Sequence, residues 1–224
     1  MIADTQHLTL RHTQPAYTLC LKNGGACSLS LIADFNAALD SIEASTGPAC
    51  LIITGEDKSF STGFQLEDFF SGNAGLRQTM LSRSIKLLGR VAALPLPTAA
   101  AINGHAFGFG ALLALACDRR VMRSDRGFFC LPELDLHIAI PRPMMELLKL
   151  KLRHDVLGDL VFSGRRIGGQ EAFGLGIVDA ACPPAELMAQ AHTMVQPLAE
   201  KDRATLGAMK RELYRQFLDT LPLD

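Results

Sequence analysis

Apolar and polar positions along this chain follow two rhythms. Residues 49–54 and 98–102 are continuous apolar runs of strand length, the pattern of strands buried on both faces. Residues 31–45 repeat at helical spacing, with Leu31, Phe35, Ala38, Leu39 and Ile42 on one face. Ser30 is the expected N-cap of that helix, and Gly47-Pro48 its stop. Residues 76–93 predict a longer helix with Met80, Ile85, Leu88 and Val91 inward, ended by Leu94-Pro95-Leu96-Pro97. Weaker strands at 8–11 and 17–22 lead into the turn Asn23-Gly24-Gly25. Short strands are expected at 118–122 and 127–131, with helices over 144–152, 156–162 and 170–175. A short strand over 177–179 follows; from Pro183 to 217 the chain reads as mostly helical, broken near Pro197. Helices alternating with buried strands predict an α/β layering, and no repeat or linker interrupts it.

The strand at 98–102 ends in Asn103-Gly104. Then come Gly108, Phe109 and Gly110, and an almost wholly apolar helix over 111–117. Glycine lets a backbone N–H approach a ligand with no Cβ in the way, and a helix N-terminus adds unpaired donors and partial positive charge. The strand at 49–54 is followed by a similar turn, Phe60-Ser61-Thr62-Gly63-Phe64. If Gly63-Phe64 and Gly108-Phe109 each aim one N–H at a common point, the pair forms an oxyanion hole. The bland alternative for these glycines is close strand–helix packing. A dinucleotide fingerprint fails, because the third glycine place after Gly108 and Gly110 holds Leu113.

Glu133 is the carboxylate placed to act as a base. It follows Pro132 and lies among Phe128, Phe129, Leu131, Leu134 and Leu136, where burial raises a carboxyl pKa toward neutrality. The competing reading is a loop carboxylate paired with Arg142 or Arg126. His105 is either a catalytic imidazole or a turn histidine held by a carbonyl. Ser61 has no base nearby and no G-x-S-x-G elbow surrounds it, so serine hydrolysis is disfavoured. No His, Asp or Glu spacing resembles a metal site.

Composition narrows the classes further. The chain has 224 residues, a formal net charge of −1, 48% hydrophobic and 20% charged residues. That balance gives no reason to expect nucleic acid or a membrane surface as partner. No apolar run spans a bilayer, the N-terminus lacks a signal peptide's basic start and apolar core, and the six cysteines are scattered. A reduced, cytoplasmic setting is expected.

Ordered pieces of the chain resemble a known family. They are Ile52-Ile53-Thr54-Gly55, the stretch from Phe60 to Leu66, the stretch from Pro97 to Gly110, Ala116-Cys117-Asp118, Pro132-Glu133, the stretch from Phe162 to Ile167, and the stretch from Ala172 to Asp179. Together they resemble the enoyl-CoA hydratase/isomerase (crotonase) superfamily over residues 8–217, most of all its Δ3,Δ2-enoyl-CoA isomerases. The resemblance implies an α/β spiral of repeated ββα units over 1–164 and a C-terminal helical region over 165–224 that builds homotrimers or homohexamers. It implies an acyl-CoA thioester as partner and no separate cofactor, coenzyme A being part of the substrate. The oxyanion donors are then the N–H groups of Phe64 and Phe109, with Thr62, Gly63, Gly108, Gly110 and Leu112 around the substrate. Hydratases of the family resemble one another in carrying two glutamates. Here Leu112 stands in the first place and Glu133 in the second, which fits a 1,3-proton shift by one base better than water addition. Other reactions on the scaffold (hydratase, thioesterase, decarboxylase) and a non-catalytic CoA-ester-binding role are the alternatives. A dehalogenase-type aspartate is replaced by Pro141. Glu67 stands where many members carry a phosphate-binding lysine; Lys58, or Lys210 and Arg211 of a neighbouring subunit, are the expected substitutes.

Overall fold

The computed structural model of the protein describes residues 1–223. The chain opens with strands β1 (Ala3–Asp4), β2 (Leu8–Thr13) and β3 (Ala16–Leu21), then helix α1 (Leu29–Glu43) and strands β4 (Cys50–Gly55) and β5 (Ser59–Ser61). Helices α2 (Leu66–Phe69) and α3 (Ala74–Ala93) lead to β6 (Thr98–Ile102), β7 (His105–Phe107), α4 (Phe109–Ala116), β8 (Arg119–Arg123) and β9 (Phe129–Cys130). The rest is α5 (Arg142–Lys151), α6 (His154–Ser163), α7 (Gly169–Gly174), β10 (Ala180–Cys182), α8 (Leu187–Val195), α9 (Arg203–Leu213) and α10 (Arg215–Leu218).

Seven strands form one sheet in the order β1-β2-β3-β4-β6-β8-β10, and β5-β7-β9 form a second, three-stranded one. In the large sheet β1, β2 and β3 pair antiparallel, and every pairing from β3 to β10 is parallel. The continuous apolar runs have a direct cause. Leu51 and Ile53 of β4, with Ala100 and Ile102 of β6, face a core shared with α1, α3 and α4. Cys50, Ile52, Ala99 and Ala101 face the opposite side, where Leu187, Ala191 and Val195 of α8 cover them. Both faces are therefore buried, and alternation disappears from the sequence. All eight residues of α4 are buried, which explains a helix with no polar face.

Several boundaries differ from the sequence reading. The cap of α1 is Ser28, not Ser30; its Oγ accepts the N–H of Leu31 at 3.1 Å and the helix starts earlier. A strand not expected from the sequence, β7, lies between the Asn103-Gly104 turn and α4, and α4 begins at Phe109 rather than Ala111. The strand expected at 177–179 is displaced to Ala180–Cys182. Ile177 and Val178 are buried but irregular, and the carboxylate of Asp179 accepts the Arg120 N–H at 2.7 Å just before pairing with β8 begins. Residues after 164 contribute β10 and α8 to the large sheet as well as adding outer helices. Those outer helices are tied down by buried charge. Lys210 Nζ of α9 donates to Leu96 O and pairs with Asp118 Oδ2, each at 2.6 Å, and that oxygen also accepts the Thr98 N–H at 2.8 Å. Lys151 Nζ donates to Cys117 O and to the Tyr214 hydroxyl.

Candidate active site

The small sheet sets the geometry of the site. β5 pairs parallel with β7 (Ser59 opposite His105) and β7 pairs parallel with β9 (Ala106 opposite Phe129, Phe107 opposite Cys130). Parallel strands end at one edge. The turns after all three strands therefore leave the sheet side by side: Thr62-Gly63-Phe64, Gly108-Phe109 and Pro132-Glu133.

Gly63 has φ +90° and Gly108 φ +51°, backbone conformations that favour glycine. A Cβ on Gly63 would sit 2.9 Å from Phe107 O and 3.8 Å from Phe109 N, so the first turn lies directly against the second. The chain around Phe64 is clamped from both sides. Cys27 N–H donates to Gly63 O at 2.7 Å and Gln65 N–H to Cys27 O at 3.1 Å. Phe64 N–H itself has no acceptor among the described residues. Phe109 is the first residue of α4, so its N–H has no intrahelical acceptor, and none is supplied by the other described residues. The two rings meet with centroids 5.6 Å apart.

Glu133 enters from the third turn, fixed by Ile138 N–H donating to its carbonyl at 2.8 Å. Its Oε1 lies 3.3 Å from where a Cβ on Gly108 would be. Its Oε2 is sealed from solvent and has no hydrogen-bond partner. Burial pushes the carboxyl up to about 7, since the charged form loses hydration and gains no cation. The ion pair to Arg142 or Arg126 considered from sequence is not formed among the described residues. Arg126 lies instead on a separate groove with His105 and Lys58.

A cleft of about 340 Å³ joins these parts, lined by Thr62, Gly63, Phe64, Gly108, Phe109 and Glu133. Its remaining wall is largely apolar, including Leu66, Leu81, Ile140 and Met144. Leu112 is 1% exposed and sits in the core rather than on the cleft wall. Gly110 packs over Ser61, where a Cβ would come within 2.6 Å of the Ser61 carbonyl oxygen. Ser61 donates to Gly25 O at 2.7 Å, a structural bond. Lys58 is exposed and outside the cleft. Lys210, a sequence-based candidate for phosphates, is buried and committed to Asp118. His105 lies between Phe107 and Phe128 outside the cleft, and burial, then Arg166 and Arg126, hold its pKa down. Among the described residues no cluster of His, Cys, Asp and Glu could hold a metal ion, and no helix is long and apolar enough to cross a membrane.

Two charged residues on the cleft escape the sequence reading, Asp135 and Arg166. Asp135 follows Glu133 by two positions in the same turn. Arg166 is the second of two adjacent arginines, and the first, Arg165, takes Asp159 (2.7 Å) and Glu171 as partners.

Comparison with known proteins follows the same line. A family model described as enoyl-CoA hydratase/isomerase matches residues 22–223. The peroxisomal enoyl-CoA delta isomerase 2 of Arabidopsis thaliana is 32% identical over 190 residues, 80% of this chain and 79% of that protein. A Bacillus subtilis (strain 168) protein described as "Probable enoyl-CoA hydratase" is 32% identical over 211 residues, 92% of this chain and 81% of its own. Among solved structures, human mitochondrial delta3-delta2-enoyl-CoA isomerase superposes with a TM-score of 0.90 at 22% identity, covering 96% of this chain and 86% of that one. That match, at that identity, speaks to the fold, an α/β crotonase spiral.

Proposed function

The chain belongs to the enoyl-CoA hydratase/isomerase family, and from that premise we propose that it moves the double bond of a 3-enoyl-CoA to the 2-position. One observation carries this reading: among the described residues, a single buried carboxyl group without a hydrogen-bond partner stands beside two backbone amides without acceptors. The thioester oxygen accepts hydrogen bonds from Phe64 and Phe109 N–H. Glu133, as carboxylate, takes the proton from C2; the electrons of that C–H bond delocalise through the double bond and the carbonyl as a dienolate. The amides stabilise the oxygen charge as it develops, which is where such donors act most strongly. Glu133 then returns the proton to C4, leaving the double bond between C2 and C3. One base suffices because the proton is borrowed and returned.

The apolar wall formed by Leu66, Leu81, Ile140 and Met144 suits the acyl chain. Phe64 and Phe109 narrow the cleft beside it. For the coenzyme A phosphates Lys58 remains the candidate. It shares a shallow groove with Gly24 and Arg126, and a Cβ on Gly24 would sit 3.4 Å from Thr62 Cγ2 at the cleft. A homotrimer or homohexamer would cover the apolar side chains Met209 and Leu213 that α9 leaves exposed.

A second reading, hydration of a 2-enoyl-CoA, is favoured by Asp135, a further carboxylate on the cleft able to orient water. A substrate panel separates the two. Purified protein is expected to convert 3-enoyl-CoA to 2-enoyl-CoA and to leave 2-enoyl-CoA unhydrated. The value of kcat/KM should rise with pH through about 7 and level off above it, because the base acts ionised and its pKa is raised to that point. Faster hydration than isomerisation would overturn the isomerase reading in favour of the second. Thioester binding without turnover would overturn both in favour of a non-catalytic role.

A further inference from the structure

Arg166 lines the cleft that holds Glu133 and the two amides. Its side chain is exposed, and it makes no ion pair or hydrogen bond among the described residues, unlike the doubly paired Arg165 beside it. Its guanidinium carbon stands 5.7 Å from the centroid of the Phe107 ring, a cation over an aromatic face. Phe107 is only two residues before the amide of Phe109. Apart from Glu133 and Asp135 the cleft around it is mostly apolar, and a planar guanidinium free of protein anions presents paired N–H donors that match a carboxylate or a phosphate bidentately. From these positions we infer that Arg166 selects acyl-CoA thioesters whose acyl chain ends in a second carboxylate, a 3-enedioyl-CoA in place of a simple 3-enoyl-CoA.

The place of the cation decides which anion it meets. Consecutive Cα atoms are about 3.8 Å apart, so Phe107 stands within a short acyl chain's reach of the thioester oxygen held at Phe109. The phosphates of coenzyme A are separated from that sulfur by the whole pantetheine arm and lie well beyond. Asp135 lies on the same cleft but is not paired with Arg166. It leaves the guanidinium donors free, and it disfavours a carboxylate that lodges on its own side of the opening.

This inference deepens the isomerase reading and rests on it, so its test carries a binding arm independent of turnover. Two matched pairs of thioesters are used: short 3-enoyl-CoA and 3-enedioyl-CoA of equal length, and their saturated counterparts. The intact protein is expected to prefer the diacid of each pair by about tenfold, in kcat/KM for the enoyl pair and in calorimetric Kd for the saturated pair. Arg166→Gln should lose that preference through KM, with kcat and the neutral substrate changed less than about threefold. Arg166→Lys should recover part of it. A tenfold preference corresponds to about 1.4 kcal/mol, ordinary for one charge-assisted contact. Equal weakening of both members of a pair would place the anion on the coenzyme A portion and overturn the inference. Equal binding of both by the unaltered protein would overturn it too. Absence of turnover alongside a diacid binding preference lost in Arg166→Gln would sink the isomerase reading and leave the role of Arg166 standing.

Discussion

Replacing Glu133 by Gln is expected to lower kcat for 3-enoyl-CoA isomerisation by about 10²–10⁴-fold, the usual contribution of a positioned acid–base group. The substitution keeps the shape of the side chain and removes its ability to take a proton. The amides of Phe64 and Phe109 are untouched, so affinity for an unreactive acyl-CoA should stay within about threefold of the parent. The same variant carries a second, opposite signature in stability. Burial raises the folded-state pKa of Glu133 to about 7, above its ordinary value of 4.5. The folded protein therefore holds that proton more tightly than the unfolded chain does. Ionisation costs stability progressively between pH 4.5 and about 7, and the full cost is present above that window. Gln, neutral at every pH, avoids the cost, and is expected to be more stable than the parent at pH 8 by about 3 kcal/mol, with the difference vanishing below pH 4.5. Denaturant melts at the two pH values check it. Unchanged turnover in this variant would remove Glu133 from the mechanism.

Gly63→Ala is the second substitution with a large expected effect. The φ of +90° at this position is strained for any residue with a Cβ, and the added methyl would come within 2.9 Å of Phe107 O. The turn carrying Phe64 N–H must then move away from the turn carrying Phe109 N–H. Losing one such donor typically costs about 2.7–4 kcal/mol of transition-state stabilisation. A fall of about 10²–10³-fold in kcat is expected, with little change in KM, because the interaction strengthens as charge develops on oxygen. Steady-state kinetics with 3-enoyl-CoA measures it, and near-native circular dichroism and thermal midpoint separate the effect from unfolding. A variant with parental kcat would show that the Phe64 amide does not hold the oxyanion.

Both substitutions act on residues visible in the sequence, and the reason is physical. Turns that need positive φ at a close approach demand glycine, so Gly63 and Gly108 stand out beside the apolar runs that precede them. Glu133 stands out because a carboxylate amid five apolar neighbours is costly without a purpose. The sheets were legible where both faces are buried, as in β4 and β6. β7 was not: three residues, His105-Ala106-Phe107, carry no period, and their pairing comes from β5 and β9, far away in sequence. The displaced β10 has a similar cause. Ile177 and Val178 are as apolar as strand residues, but the hydrogen bonds that Asp179 accepts from the Arg119 side chain and the Arg120 N–H fix where pairing with β8 starts. Leu112, assigned to the substrate through a family pattern, lies in the core one turn along α4 from Phe109, the residue of that helix that reaches the cleft. Asp135 and Arg166 belong to the site only through folding, since the turn after β9 and the chain after α6 come together at one rim. An exposed arginine carries no sequence signature of that meeting.

The most direct measurement is a crystal structure with a bound 3-enoyl-CoA or an unreactive analogue. The thioester oxygen is expected within about 2.7–3.1 Å of both Phe64 N and Phe109 N, with the Glu133 carboxyl over C2 and C4. A thioester oxygen bound by one amide or neither, or a Glu133 carboxyl turned away from those carbons, would contradict it.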